Sequence, residues 1–157
     1  MKEFDFKKID AFATINSGGN PAGYVLLNSA DDISVDEMQH MARELKGFVN
    51  EVGYVYRSSE NQIDMKYYSS EREVDFCGHA TVAIMYDLLI NDTSLQQFET
   101  LKIKTNRGLL NFYKALQYLV DNKISKRFNG ALQFDTAEIP TFIKHLAWLV
   151  RTNVILP

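Results

Sequence analysis

The sequence predicts an α+β fold in which a curled, mixed sheet wraps a central helix, and three features of the chain point to it. Segments that alternate apolar and polar residues recur between clusters of turn formers, as in Gln62-Ile63-Asp64-Met65-Lys66-Tyr67-Tyr68. A helix start is written at Ser34-Val35-Asp36-Glu37, where a hydroxyl serves the backbone three residues on and a carboxylate reaches back. Finally, Asp75-Phe76-Cys77-Gly78-His79-Ala80-Thr81 leads into Val82, Ala83, Ile84, Met85, Leu88 and Leu89, an apolar run with few helix breakers.

In chain order, Phe4, Phe6 and Ile9 to Phe12 predict an opening strand, with its alternation broken at Lys7-Lys8. Ser17-Gly18-Gly19-Asn20-Pro21 predicts a tight loop from Thr14 to Gly23, after which Tyr24-Val25-Leu26-Leu27 resumes as strand. The first helix places Met38, Met41, Ala42 and Leu45 on one face, with Asp36, His40 and Arg43 toward solvent and Gly47 as its end. Val52 to Tyr56 and Gln62 to Tyr68 then form a hairpin about Ser58-Ser59-Glu60-Asn61. A loop from Ser69 to Val74 delivers the second helix, which runs to about Asn91. Phe98 to Thr105 and Leu109 to Tyr113 pair across the turn Asn106-Arg107-Gly108. Past Tyr113 the spacing of Leu116, Leu119, Val120 and Ile124, and of Phe142, Ile143, Leu146 and Val150, predicts two helices on either side of a turn at Asn129-Gly130.

Composition narrows the function. A chain of 157 residues, 46% hydrophobic and 24% charged, suits one cored domain, and its aromatic content suits a core built on sheets. The net charge of −3 and the lack of a basic, aromatic-rich cluster argue against nucleic acid. Met1-Lys2-Glu3-Phe4-Asp5 has no leader-like apolar core and no window is apolar enough to span a bilayer, so the expectation is a cytoplasmic protein without membrane contact. The single Cys permits no internal disulfide and no paired-Cys zinc site. His40, His79 and His145 are far apart and form no helical His pair, which speaks against metal hydrolysis.

Two chemistries remain open on the residues alone. Cys77 and His79 flank a glycine at a helix start, where unpaired amides and the helix dipole favour an anion; the same pair also reads as a buried thiol beside a capping histidine. Glu51, between Phe48, Val49 and Val52, has surroundings that could raise a carboxyl's proton affinity and fit it for acid–base work; it also reads as a solvated loop glutamate.

Four stretches together add a resemblance. Ile9-Asp10-Ala11-Phe12 with Gly19-Asn20-Pro21-Ala22-Gly23, Glu37-Met38-Gln39 with Met41-Ala42-Arg43-Glu44-Leu45, Asn50-Glu51 ahead of a strand, and Asp75 to Thr81 occur in the order of the phenazine-biosynthesis PhzF-like isomerases. Residues 1–113 resemble the N-terminal lobe of that family, which has the diaminopimelate epimerase-like fold. The resemblance implies a proton shift on a small carboxylate-bearing metabolite, without metal or organic cofactor. It implies Glu51 as the acid–base group, with Cys77, similar in position to one of the cysteine pair of related epimerases, as its rival. It also implies that Asn20, Asn50, Gly78 and His79 lie near the substrate. The sequence departs from the family pattern in flanking Glu51 with Asn50 and Val52 rather than Ser and Thr, and it lacks the Asp-Pro and Thr-Gly-Ser-Ala stretch of the second lobe. Residues 114–157 therefore read as a divergent, helical extension packed on the same domain. A homodimer could supply the second lobe, and the alternative to an enzyme is an inactive remnant that binds a small acid or a partner protein.

Overall fold

Strand alternation sorts the side chains of the central sheet onto two helices. The computed structural model describes residues 2–13, 18–113, 125–128 and 131–134. β1 (Phe6–Ala11) and β2 (Asn20–Leu27) run antiparallel, with Ile9 opposite Ala22. α1 (Val35–Glu44) carries the chain across to β3 (Glu51–Ser59), which lies parallel to β2 with Glu51 opposite Ala22. β4 (Gln62–Ser69) returns antiparallel to β3 and also pairs with the two-residue β5 (Glu73–Val74). α2 (Gly78–Asn91) makes a second crossover to β6 (Thr100–Thr105), parallel to β4, and β7 (Gly108–Tyr113) completes the order β1-β2-β3-β4-β6-β7. This is a mixed sheet with two helices, the α+β class that the sequence predicts.

The two faces follow from the period of two along each strand. Tyr24, Val55, Met65 and Tyr67 pack with the buried residues of α2, whereas Val25, Val52, Tyr54 and Tyr68 pack with Met38 and Ala42 of α1. From Ala80 to Leu89 every residue of α2 is buried, which makes it the central helix. Gly53 lets it sit close, because a Cβ there would stand 2.5 Å from Ile84 Cδ1. Glu51, two residues before Gly53, has the same parity and is thereby turned to the α2 side.

Polar ties fix α2 at both ends. Near its start, Thr81 Oγ1 donates to the Cys77 carbonyl at 2.6 Å and stands 2.6 Å from the buried Tyr67 hydroxyl. Toward its end, buried Asp87 accepts from Lys7 Nζ at 2.9 Å and from Tyr24 Oη at 2.7 Å. Thr81→Val keeps the shape but removes the hydroxyl, and is expected to cost about 1–3 kcal/mol. Urea unfolding checks this, as a lower midpoint at unchanged slope.

Several boundaries differ from the sequence reading. The strand expected from Tyr24 already begins at Asn20, because Gly19, at φ 76°, completes the turn and β1 pairs with the chain from Asn20 onward. Pro21 is tolerated near the strand's first residue. α1 ends at Glu44 rather than Gly47; Gly47, at φ 83°, turns the chain so that Asn50 N–H can donate to the Pro21 carbonyl at 3.0 Å. The loop from Ser69 to Val74 contains β5, and Leu95–Gln97 forms a short 3-10 turn before β6 starts at Thr100. Within residues 114–157, β8 (Ser125–Phe128) and β9 (Ala131–Phe134) pair antiparallel with Phe128 opposite Ala131, so this part of the extension is strand and not helix. The sequence between them, Asn129-Gly130, is the pair favoured in two-residue hairpin connections. The two helices expected over 116–124 and 142–150 lie outside the described residues. No helix among the described residues is long and apolar enough to cross a membrane.

Candidate active site

Three local features bring one carboxyl, one imidazole and one thiol together. Glu51 opens β3 with its side chain on the α2 side. Cys77 is the N-cap of α2, and its carbonyl is held by both the amide and the hydroxyl of Thr81. His79 lies in the first turn of that helix. Glu51 Oε2 and His79 Nε2 are 3.2 Å apart, with side chains only 23% and 14% exposed. Both atoms are shielded from solvent, and neither has an aligned hydrogen bond. On its other side the ring meets Cys77, with Nδ1 3.3 Å from Sγ.

Burial sets the protonation of two members. It lowers the His79 pKa below the usual imidazole range, against the Glu51 carboxylate and the Pro21 carbonyl, which both raise it. The ring is therefore neutral at neutral pH, with one proton shared between two nitrogens. Burial pushes the Cys77 thiol up to about 12; the amides of Ala80 and His79 act against the rise, and Glu51 adds to it. A thiol so protonated can donate a hydrogen bond but is a poor base at neutral pH.

The other residues singled out from the sequence gather around this core. Asn50 Nδ2 donates to Asn20 Oδ1 at 2.5 Å. The backbone of Asn50 donates to the Pro21 carbonyl, which also faces His79 and so ties the start of β2 to the helix. Gly78 is exposed, and the nearest atom to a Cβ built there is Phe76 Cε1 at 3.8 Å. The glycine is thus not required by packing and leaves the leading turn of α2 open. Pro21 escaped the sequence reading, since a backbone carbonyl carries no side-chain signal. His40 is exposed on α1, and His145 lies outside the described residues.

Sequence spacing also missed a ligand set. Glu51, Cys77 and His79 offer oxygen, sulfur and nitrogen atoms within 4.8 Å of one another, a donor combination that zinc accepts. Metal binding would require the buried thiol to give up its proton. A cavity of about 380 Å³ lies at the opposite end of α2, lined by Lys7, Tyr24, Arg57, Leu88 and Asp92 among others, and contains none of these residues.

Comparison with known proteins bears on the fold and the family. The chain is 37% identical over 110 residues to the uncharacterized isomerase YfhB of Bacillus subtilis (strain 168), a match covering 70% of this chain and 36% of that protein. The PhzF-family phenazine biosynthesis protein of Bacillus anthracis superposes with a TM-score of 0.61 at 34% identity, over 72% of this chain and 36% of the other. A predicted epimerase of Pseudomonas aeruginosa, PA4716, shares the fold at 17% identity, with a TM-score of 0.55 over 81% of this chain and 40% of that one. The chain thus spans little more than a third of the length of the proteins it matches. Residues 9–142 fit the family described as phenazine biosynthesis-like protein, PhzC-PhzF. With most of its length so matched, the chain belongs to the PhzC/PhzF phenazine biosynthesis-like family.

Proposed function

We propose that this chain carries the acid–base lobe of an isomerase or epimerase that moves a proton within a small carboxylate-bearing metabolite, without metal or organic cofactor. The observation that carries the reading is the 3.2 Å approach of Glu51 to His79 at the start of α2. Glu51 would take a proton from a carbon of the substrate, breaking C–H and forming O–H. The electron pair then spreads into the conjugated carboxylate, where amides at the helix start and the His79 ring can stabilise it. Glu51 returns the proton to a carbon of the same molecule, so charge and electrons balance without a redox partner. Cys77, kept as thiol by burial, is the weaker candidate for the base.

Incubation of small carboxylic acids bearing an acidic C–H with the chain in deuterated water tests the proposal. Incorporation of deuterium, unaffected by a chelator, supports it; incorporation lost with chelator and restored by zinc would shift the chemistry to a metal held by Glu51, Cys77 and His79. Because the chain covers 36% of the B. subtilis relative, a second reading is an inactive remnant that binds a small acid, and binding without incorporation supports that one. A homodimer replacing the second lobe is the third element of the proposal. It is expected to sediment as a dimer at micromolar concentration, and a strictly monomeric chain removes it.

Gly78→Ala separates binding from folding. The added methyl has room inside the fold, so stability should hold or rise by up to about 1 kcal/mol. The methyl stands at the open helix start, so affinity for a small carboxylate should fall, as read by calorimetry or ligand-detected NMR.

A further inference from the structure

A neutral imidazole can donate from one nitrogen and accept at the other, so the groups flanking His79 decide what it presents to Glu51. Nε2 faces the Glu51 carboxyl at 3.2 Å, and the Pro21 carbonyl also lies against the ring. A carboxylate acting as a base has no proton to offer, so Glu51 calls for an N–H at Nε2. Nδ1 faces a sulfur at 3.3 Å. The Cys77 backbone is held in place, because its carbonyl accepts two bonds from Thr81, 2.9 Å from the amide and 2.6 Å from the hydroxyl, and the side chain is buried. Thr81 is itself held by the buried hydroxyl of Tyr67.

We propose that Cys77 is a positioning residue, whose S–H donates to Nδ1 of His79 and so holds the ring as the Nε2–H tautomer facing Glu51. The inference rests on the reading of Glu51 as the acid–base group. It gives the thiol a role that needs neither thiolate nor nucleophilic attack, and the 3.3 Å separation of Sγ from Nδ1 favours it. An Nδ1–H tautomer would instead leave an unprotonated Nε2 3.2 Å from the Glu51 oxygen and place its proton on the nitrogen that faces the thiol.

The test is proton–nitrogen correlation NMR of the histidine rings in the full chain, at a pH where His79 is neutral, for wild type, Cys77→Ala and Cys77→Ser. In wild type the proton is expected on Nε2, with the Nδ1 resonance displaced by an accepted hydrogen bond. Cys77→Ala should move Nδ1 toward the value of an unbonded nitrogen, and Cys77→Ser, which retains a donor, should restore it at least in part. A wild-type proton on Nδ1, or an Nδ1 resonance that Cys77→Ala leaves in place, overturns the proposal, the latter because the thiol proton then serves Glu51. In the deuterium assay Cys77→Ala should slow exchange on the order of tenfold, the scale on which groups that orient a functional imidazole act. Cys77→Ser should recover part of that rate. The spectra are read without substrate, so they stand or fall separately from the activity of Glu51.

Discussion

Glu51→Gln is expected to stay folded, to retain most of its affinity for a small carboxylate, and to lose about 10²–10⁴-fold in deuterium incorporation. The amide has nearly the shape of the carboxyl, and Glu51 sits at the first residue of β3, where backbone pairing with Ser69 and Ala22 does not depend on its side chain. Stability should therefore move by no more than about 1 kcal/mol. The ligand's own carboxylate is expected to lie against the leading amides of α2, which the substitution leaves untouched. An amide cannot accept a proton from carbon at neutral pH, so the loss falls on the rate and not on binding. A loss of affinity as large as the loss of rate would instead mark Glu51 as a binding residue.

Gly19→Ala is expected to be the most damaging single methyl in the described chain. Gly19 holds φ at 76°, and a Cβ built on it stands 2.5 Å from the Ala11 carbonyl oxygen, 2.7 Å from Ala13 N and 2.9 Å from Ala13 Cα. These neighbours are backbone, so no rotamer change relieves them. Left-handed strain and the overlap together should cost about 2–5 kcal/mol, a fall in Tm on the order of 10 °C for a chain of this size. The same turn presents Asn20 and Pro21, so carboxylate affinity should decline along with stability. Gly78→Ala, whose methyl meets nothing closer than 3.8 Å, serves as the control, because it alters the site without straining the fold.

The parts of this molecule that could be read in the sequence are those decided by neighbouring residues. The capping box at Ser34 and Glu37 is present as expected, with Ser34 N–H donating to Glu37 at 2.8 Å. The second helix ends at Asn91 as its sequence suggests. What local pattern could not supply was register. Glu51 turns toward α2 only because it shares parity with Gly53 and Val55, and it reaches His79 only because β3 starts beside Ala22. The turn at Gly47 returns the chain in time for Asn50 to bond Pro21. Likewise, β5 and the early start of β2 arise from partners far along the chain, and no propensity within Glu73-Val74 or Asn20-Pro21 announces them. Separation in sequence was also a poor guide to the trio, since Glu51 and His79 lie on different elements that one crossover brings together.

A double-variant cycle on the exchange rate tests most directly whether Glu51 and His79 form one site. Glu51→Gln, His79→Asn and the double variant would be assayed together on the same substrate in deuterated water. If the two groups act as a unit, His79→Asn slows the wild type markedly but adds little once Glu51 is gone. Losses that simply multiply would mean that the carboxyl and the imidazole work independently, and that their 3.2 Å approach has no part in the chemistry.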